Sequence, residues 1–148
     1  MIHRHGKDIA FNRHIVKHQI TRKRAVQMLD DIFSRYIRAR DENKCYCHRI
    51  IPGEPIQCCH LISRSSYSVR WTEENCSAGH RSCNFEHEYH PEKMTSWWIK
   101  KHGMMKYDAL ILRSHLPVKY STAELLTLAK FYERKLKELK QIDKGGRT

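Results

Sequence analysis

Two short groups of cysteine and histidine, Cys45-Tyr46-Cys47-His48 and His80-Arg81-Ser82-Cys83, constrain this chain more than any other feature of it. Thiolates and imidazoles bind zinc tetrahedrally, so each group can supply half of one shell and close the intervening segment into a stapled unit. His80 and Cys83 have the usual two-residue gap. The partner of Cys45 stays open, since Cys47 lies one residue closer than usual and His48 lies at the usual gap. Taken one at a time, such residues are ordinarily buried thiols and surface histidines. Two pairs flanking a strand-like run and a loop point instead to a structural zinc ion. The six cysteines and eleven histidines fit metal ligation in a reducing compartment better than a secreted disulfide scaffold.

Size and charge bound the partners. With 148 residues, 40% of them hydrophobic, the chain has room for one compact core with helical flanks. Twenty-eight lysines and arginines against sixteen acidic residues leave a formal charge of +12, which attracts polyanions, nucleic acid foremost. No run nears the ~18 consecutive apolar residues of a membrane helix, and Met1 to His5 lack the apolar centre of a secretion signal. The expectation is a soluble, cytoplasmic protein with no membrane partner.

Along the chain, residues 1–20 are polar and histidine-rich without periodicity, and read as an extended arm or a short helix that docks late. From Thr21, the positions Ala25, Met28, Leu29, Ile32, Phe33, Tyr36 and Ile37 recur at helical spacing among arginines, which predicts a basic amphipathic helix. After Lys44 come the first knuckle, a Pro52-Gly53 turn and a strand over 55–62. A polar loop follows, Ser63 to Glu74, carrying Arg64, Arg70, Tyr67 and Trp71. Asn75 to Asn84 reads as the second knuckle, leading into a helical stretch. Pro91 then starts a new helix that Gly103 stops, with Trp97, Trp98 and Ile99 in the core, and a short helix covers 107–115. Ser121 with Glu124 forms a capping box for a last helix reaching Ile142. The organisation expected is an α+β chain: an arm and basic helix (1–33), a zinc-stapled ββα core (34–103), a helical region (104–142) and a disordered tail (143–148).

Around the knuckles stand residues suited to phosphodiester hydrolysis, which needs a base for water and a divalent cation for the charge on phosphate. His60 ends the predicted strand, Asn75 follows after fourteen residues, and Asn84 after eight more, in the rhythm of a ββα-metal site. In that pattern His60 is the general base, Asn75 ties the loop that orients the imidazole, and Asn84 offers an amide oxygen to Mg²⁺ or Mn²⁺. Arg64, Arg70 and Arg81, with the basic helix, are the expected DNA phosphate contacts. A blander account makes the asparagines turn formers and His60 one more zinc-site candidate.

The run Cys58-Cys59-His60-Leu61-Ile62-Ser63-Arg64, then Arg70-Trp71, Glu74-Asn75-Cys76 and Arg81-Ser82-Cys83-Asn84, resembles the phage NinG/Rap recombination endonuclease family. Arg38-Ala39-Arg40-Asp41, Lys101-His102-Gly103 and Leu116-Pro117-Val118-Lys119-Tyr120-Ser121 extend the resemblance over about residues 34–140. It implies an HNH-type (His-Me finger) fold around structural zinc, and a structure-specific endonuclease acting on Holliday junctions and D-loops in the cytoplasm of a phage-infected cell. By the same resemblance His60 is the base, Asn75 its positioning partner, and Asn84 the counterpart of the metal-binding asparagine of recombination endonuclease VII. The chain departs from the pattern at His80, where the family has a zinc-binding cysteine, and in a shortened first knuckle. Cys59 stands where nucleases of the endonuclease VII type have an acidic metal ligand. That leaves Cys59 itself, Glu86, His87 or His90 to complete the catalytic shell.

A second reading keeps zinc and DNA binding without catalysis, as a recombination accessory protein. A third, a sequence-specific zinc-finger regulator, lacks a base-reading helix at finger spacing. Two coordinated cuts at a junction would suit a homodimer, with the last helix either forming its seam or packed on its own domain.

Overall fold

The computed structural model describes residues 19–145, in which five helices surround one two-stranded hairpin. Thr21 opens α1 (Arg22–Arg40), its side chain accepting from the Arg24 amide at 3.2 Å. Ala25, Leu29, Ile32, Phe33, Tyr36 and Ile37 form the buried stripe of this helix, as their spacing predicts. The last turn of α1 reaches forward in sequence. Arg40 donates to the carbonyls of Glu73 at 3.0 Å and Cys76 at 2.9 Å, while Asp41 accepts the Ala78 amide at 2.8 Å. This clamp fixes the hairpin on the end of α1, so the boundary expected between residues 33 and 34 falls inside one helix whose two halves act together.

In the hairpin, β1 (Ile56–His60) pairs antiparallel with β2 (Cys76–His80), with Ile56 opposite His80, Cys58 opposite Ala78 and His60 opposite Cys76. Strand alternation therefore puts Cys58, His60 and Cys76 on one face, and Gln57 and Cys59 on the other. Each face meets its own hydrophobic cluster, which corrects the expectation of a single core. On one side, α1 packs against α5 (Thr122–Gly145): Phe33 and Tyr36 meet Tyr132, Leu125 and Leu136 complete the contact, and Cys76 and Cys58 lie against it. On the other, Cys59, Leu61 and Val69 join Tyr46, Met94, Trp98 and Leu110. A two-stranded ribbon with cysteines pointing both ways has no polar face to leave in water.

Beyond the hairpin, α2 (Arg81–Tyr89) leads to α3 (Pro91–His102), begun by its proline as expected, and α4 (Met104–Ser114). Gly103, at φ +93°, makes the break between them, and α4 starts three residues earlier than the sequence suggests. Trp98 is buried, with Trp97 and Ile99 packed partly buried beside it. The capping box of α5 is formed in both directions, Ser121 amide to Glu124 carboxylate at 2.7 Å and Glu124 amide to Ser121 hydroxyl at 3.2 Å. The apolar stripe of α5 lies on α1, so this helix packs on its own domain, and it continues through Gly145 where a disordered tail was expected from 143. The arm expected at 1–20, except for its last two residues, and the final three residues lie outside the described residues. No described helix is long and apolar enough to cross a membrane.

Candidate functional site

The first knuckle is a tight turn after α1. The His48 amide donates to the Cys45 carbonyl at 2.9 Å and His48 itself takes a positive φ of 59°, which turns both Cys45 and Cys47 towards the hairpin end. His80 closes β2 and Cys83 sits in the first turn of α2. The ligand atoms of Cys45, Cys47, His80 and Cys83 all lie within 4.8 Å of one another. Cys47 Sγ is 3.2 Å from Cys45 Sγ, 3.5 Å from Cys83 Sγ and 3.9 Å from His80 Nδ1. Bonds of ~2.3 Å to a central zinc separate tetrahedral sulfurs by about 3.8 Å, so the quartet has the dimensions of such a site. It could hold a metal ion such as zinc. The choice left open by spacing falls on Cys47, while His48 is exposed outside the quartet.

Three thiolates and a divalent cation leave one negative charge, and the surroundings meet it. Arg49 places Nη2 3.5 Å from Cys83 Sγ, and the His80 amide donates to Cys45 Sγ at 3.3 Å. Burial alone would raise the Cys47 thiol, but hydrogen bonds from Arg49 and from the neighbouring thiols outweigh it and bring it down to about 6. Burial pushes Cys45 up to about 12.

His60 lies at the other end of β1, apart from the quartet. Its Nε2 is 3.0 Å from the Arg70 carbonyl, so a neutral ring carries its hydrogen there and its lone pair on Nδ1. Burial, then the nearby Arg64 and Arg70 charges, lower this imidazole to about 4 despite the carbonyl bond, so it is neutral at pH 7. Asn75, fully buried, ends a short 3-10 turn (Glu73–Asn75) and stitches the loop between the strands. Its Oδ1 accepts the Ile62 amide at 2.8 Å, and its Nδ2 donates to the Ile62 carbonyl at 3.0 Å and the Val69 carbonyl at 3.1 Å. The loop held in this way presents the Arg70 carbonyl to His60.

The same loop corrects one of the three expected phosphate contacts. Arg70 points inward, its side chain only 10% exposed, donating to both oxygens of Asp30 at 3.0 and 2.6 Å and to the Arg64 carbonyl at 3.0 Å. A guanidinium so engaged is a strut between loop and helix. Arg64 and Arg81 remain on the surface.

On the opposite face of β1, Asn84 in α2 donates its amide to Gln57 Oε1 at 3.0 Å. The structure thus places Asn84 beside Gln57, three residues before His60 and on the other face of β1, and it is the next turn of α2 that reaches the end of the strand. There His87 of α2 brings Nε2 to 3.0 Å from the carbonyl of Leu61, the residue after His60. His87 Nδ1 is buried with no hydrogen-bond partner among the described residues. Cys59 is corrected as a catalytic metal ligand: it is wholly buried in the apolar cluster beside Trp98, and burial holds it far up as a neutral thiol. Glu86 pairs with Lys93 and Arg49, and His90 with Glu92, so neither turns to this end of the strand. The uncharged donors that α2 still offers are the Asn84 amide oxygen, beside Gln57, and His87 Nδ1, beside Leu61.

Sequence reasoning did not assign Gln57, Arg49, Cys58 or Cys76. Cys58, His60 and Cys76 come together as a second group of ligand atoms within 4.8 Å of one another. The period-two spacing of Cys58 and His60 was the available signal, but Cys76 joins them only through β2, which was not read as a strand.

A family model described as Bacteriophage Lambda NinG protein matches residues 6–143. The chain belongs to the phage lambda NinG family. No curated protein and no solved structure matches it significantly. The NinG match extends on the amino-terminal side beyond the motifs at 34–140, taking in the start of α1, so both the helical cluster and the hairpin belong to the family pattern.

Proposed function

We propose that this NinG-family chain is a metal-dependent, structure-specific DNA endonuclease in which His60 draws a proton from water attacking a phosphodiester, the substrates being branched recombination intermediates. The observation that carries the reading is the state of His60: an imidazole kept neutral, fixed through Nε2 to one loop carbonyl, with Nδ1 free to accept a proton. Asn75 acts as the positioning residue by holding that carbonyl in place. Asn84 and His87 are the residues that would hold the catalytic cation, and the unpartnered His87 Nδ1 is the structural feature that favours this. A neutral oxygen and nitrogen pair suits Mn²⁺ better than Mg²⁺. Bound there, the cation would offset charge developing on the phosphate. Arg64, Arg81 and the exposed Arg22, Lys23 and Arg24 of α1 supply cations for the backbone of the DNA, with affinity falling as salt rises.

The test is cleavage of a four-way junction, a D-loop and a linear duplex side by side, with Mn²⁺, with Mg²⁺ and with chelator. The branched substrates should be cut in Mn²⁺, and His60→Ala should lower the rate by about 10²- to 10⁴-fold with DNA binding unchanged. One observation favours the alternative of a binding protein without catalysis: Cys59 in place of an acidic ligand leaves the cation site without a carboxylate. Tight binding of junctions with no cleavage in any metal would establish that alternative and overturn the endonuclease.

A further inference from the structure

We propose that Cys58, His60 and Cys76 form a second thiolate and imidazole metal site, and that Zn²⁺ bound there silences the base. The silencing clause rests on the endonuclease reading; the site itself does not. Cys58 and His60 are two residues apart on β1 and so share a face, and Cys76 faces His60 directly across the ladder. Their ligand atoms lie within 4.8 Å of one another. Cys76 is almost fully buried, and Cys58 and His60 are half-buried.

The chemistry of the triad selects a borderline or soft divalent cation. Two thiolates and one neutral imidazole around Zn²⁺ make an uncharged complex, the form that burial against the α1 and α5 cluster tolerates. Three protein ligands leave a fourth position for water or an added ligand, so binding here is weaker than in the Cys45, Cys47, His80 and Cys83 quartet. The quartet takes His80 from one end of β2 and the triad takes Cys76 from the other, about 13 Å along the strand, and the two groups share no ligand, so each can be occupied separately. A neutral imidazole has a single lone pair. Whichever ring nitrogen of His60 binds the cation, that pair is no longer available to take a proton from water, and the enzyme stops.

The experiment starts from reduced full-length chain carrying one equivalent of Zn²⁺, titrated with Co²⁺. The second equivalent should produce intense thiolate-to-Co²⁺ charge-transfer absorption, which a site built from Asn84 and His87 cannot give. The Cys58→Ser, Cys76→Ser double variant should keep its first zinc and its helical circular dichroism and lose this absorption. Should the double variant fail to fold, Cys58→Ser alone is read, with loss of one of the two thiolate contributions. Absence of the band in the native chain, or its persistence in the folded variant, overturns the proposal. Cleavage in Mn²⁺ should disappear in the native chain as Zn²⁺ rises above one equivalent and survive in the variant; equal sensitivity of the two refutes the silencing. A chain that shows the band and cuts no DNA defeats the endonuclease and leaves the site standing, and one that cuts DNA without the band does the reverse.

Discussion

Replacing Asp30 by asparagine separates the interior role of Arg70 from the surface role its sequence position suggests. The Asp30 carboxylate, 27% exposed, accepts Arg70 Nε at 3.0 Å, Arg70 Nη2 at 2.6 Å and Trp71 Nε1 at 2.9 Å. An asparagine side chain can still accept through its one oxygen, but it turns an amide group towards the guanidinium and removes the counter-charge. Breaking a buried ion pair from one side leaves the other charge uncompensated, at about 3–5 kcal/mol, and the partial exposure of Asp30 puts the expectation at the lower limit, about 3 kcal/mol. For a chain of this size, each kcal/mol lowers the melting temperature by ~2–4 °C, so Asp30→Asn should melt about 6–12 °C lower. Thermal unfolding with metal present reads this directly. Combining Asp30→Asn with Arg70→Met should restore part of the loss, because the stranded charge is gone, and the two changes will not add. The reasoning fails if Asp30→Asn stays within about 0.5 kcal/mol of the native chain. It fails equally if Arg70→Met leaves the melting temperature unchanged and weakens DNA binding, the behaviour of a phosphate contact.

Gly79 offers a steric test of the hairpin. A Cβ there would lie 2.6 Å from Cys59 Sγ and 3.1 Å from the Tyr46 ring, so Gly79→Ala should cost about 1–3 kcal/mol in denaturant unfolding. An alanine variant as stable as the native chain would mean that Tyr46 and Cys59 do not close on β2. The Glu73 carboxyl is held below its ordinary value of 4.5: burial opposes this, but hydrogen bonds from Lys135 and Tyr36 prevail. An acid depressed in this way stabilises the fold above its ordinary value and loses that contribution as pH falls through the lower folded one. The stability gap between the native chain and Glu73→Gln should accordingly be widest near pH 6 and narrow below about pH 4.5, and a gap constant down to about pH 3 would refute the assignment.

The helices were legible because their signals are local. Thr21, Pro91, Gly103 and the Ser121 and Glu124 pair each act within one turn, and each appears where the sequence places it. The quartet was legible to within one ligand, because pair spacing is a property of short loops; only the turn geometry at His48 decides for Cys47. What depends on pairing across the chain was not. Cys76 to His80 carries no strand signal strong enough to stand out beside a metal knuckle, and without β2 neither the two-faced hairpin nor the Cys58, His60 and Cys76 group can be drawn. The inward turn of Arg70 likewise needs Asp30, forty residues away, and an arginine among polar loop residues looks the same in sequence whether it meets a phosphate or a carboxylate.

Because α5 supplies the largest share of the apolar cover of α1, the order in which the polypeptide emerges during synthesis matters. The segment holding both cysteine groups is complete once Cys83 has left the ribosome, whereas Leu29, Phe33 and Ile37 have only part of their cover until Leu125 to Leu136 follow. A chain ending before Tyr120 would therefore be able to load its staple while exposing an oily ridge, and should survive in a cell only in the care of a chaperone.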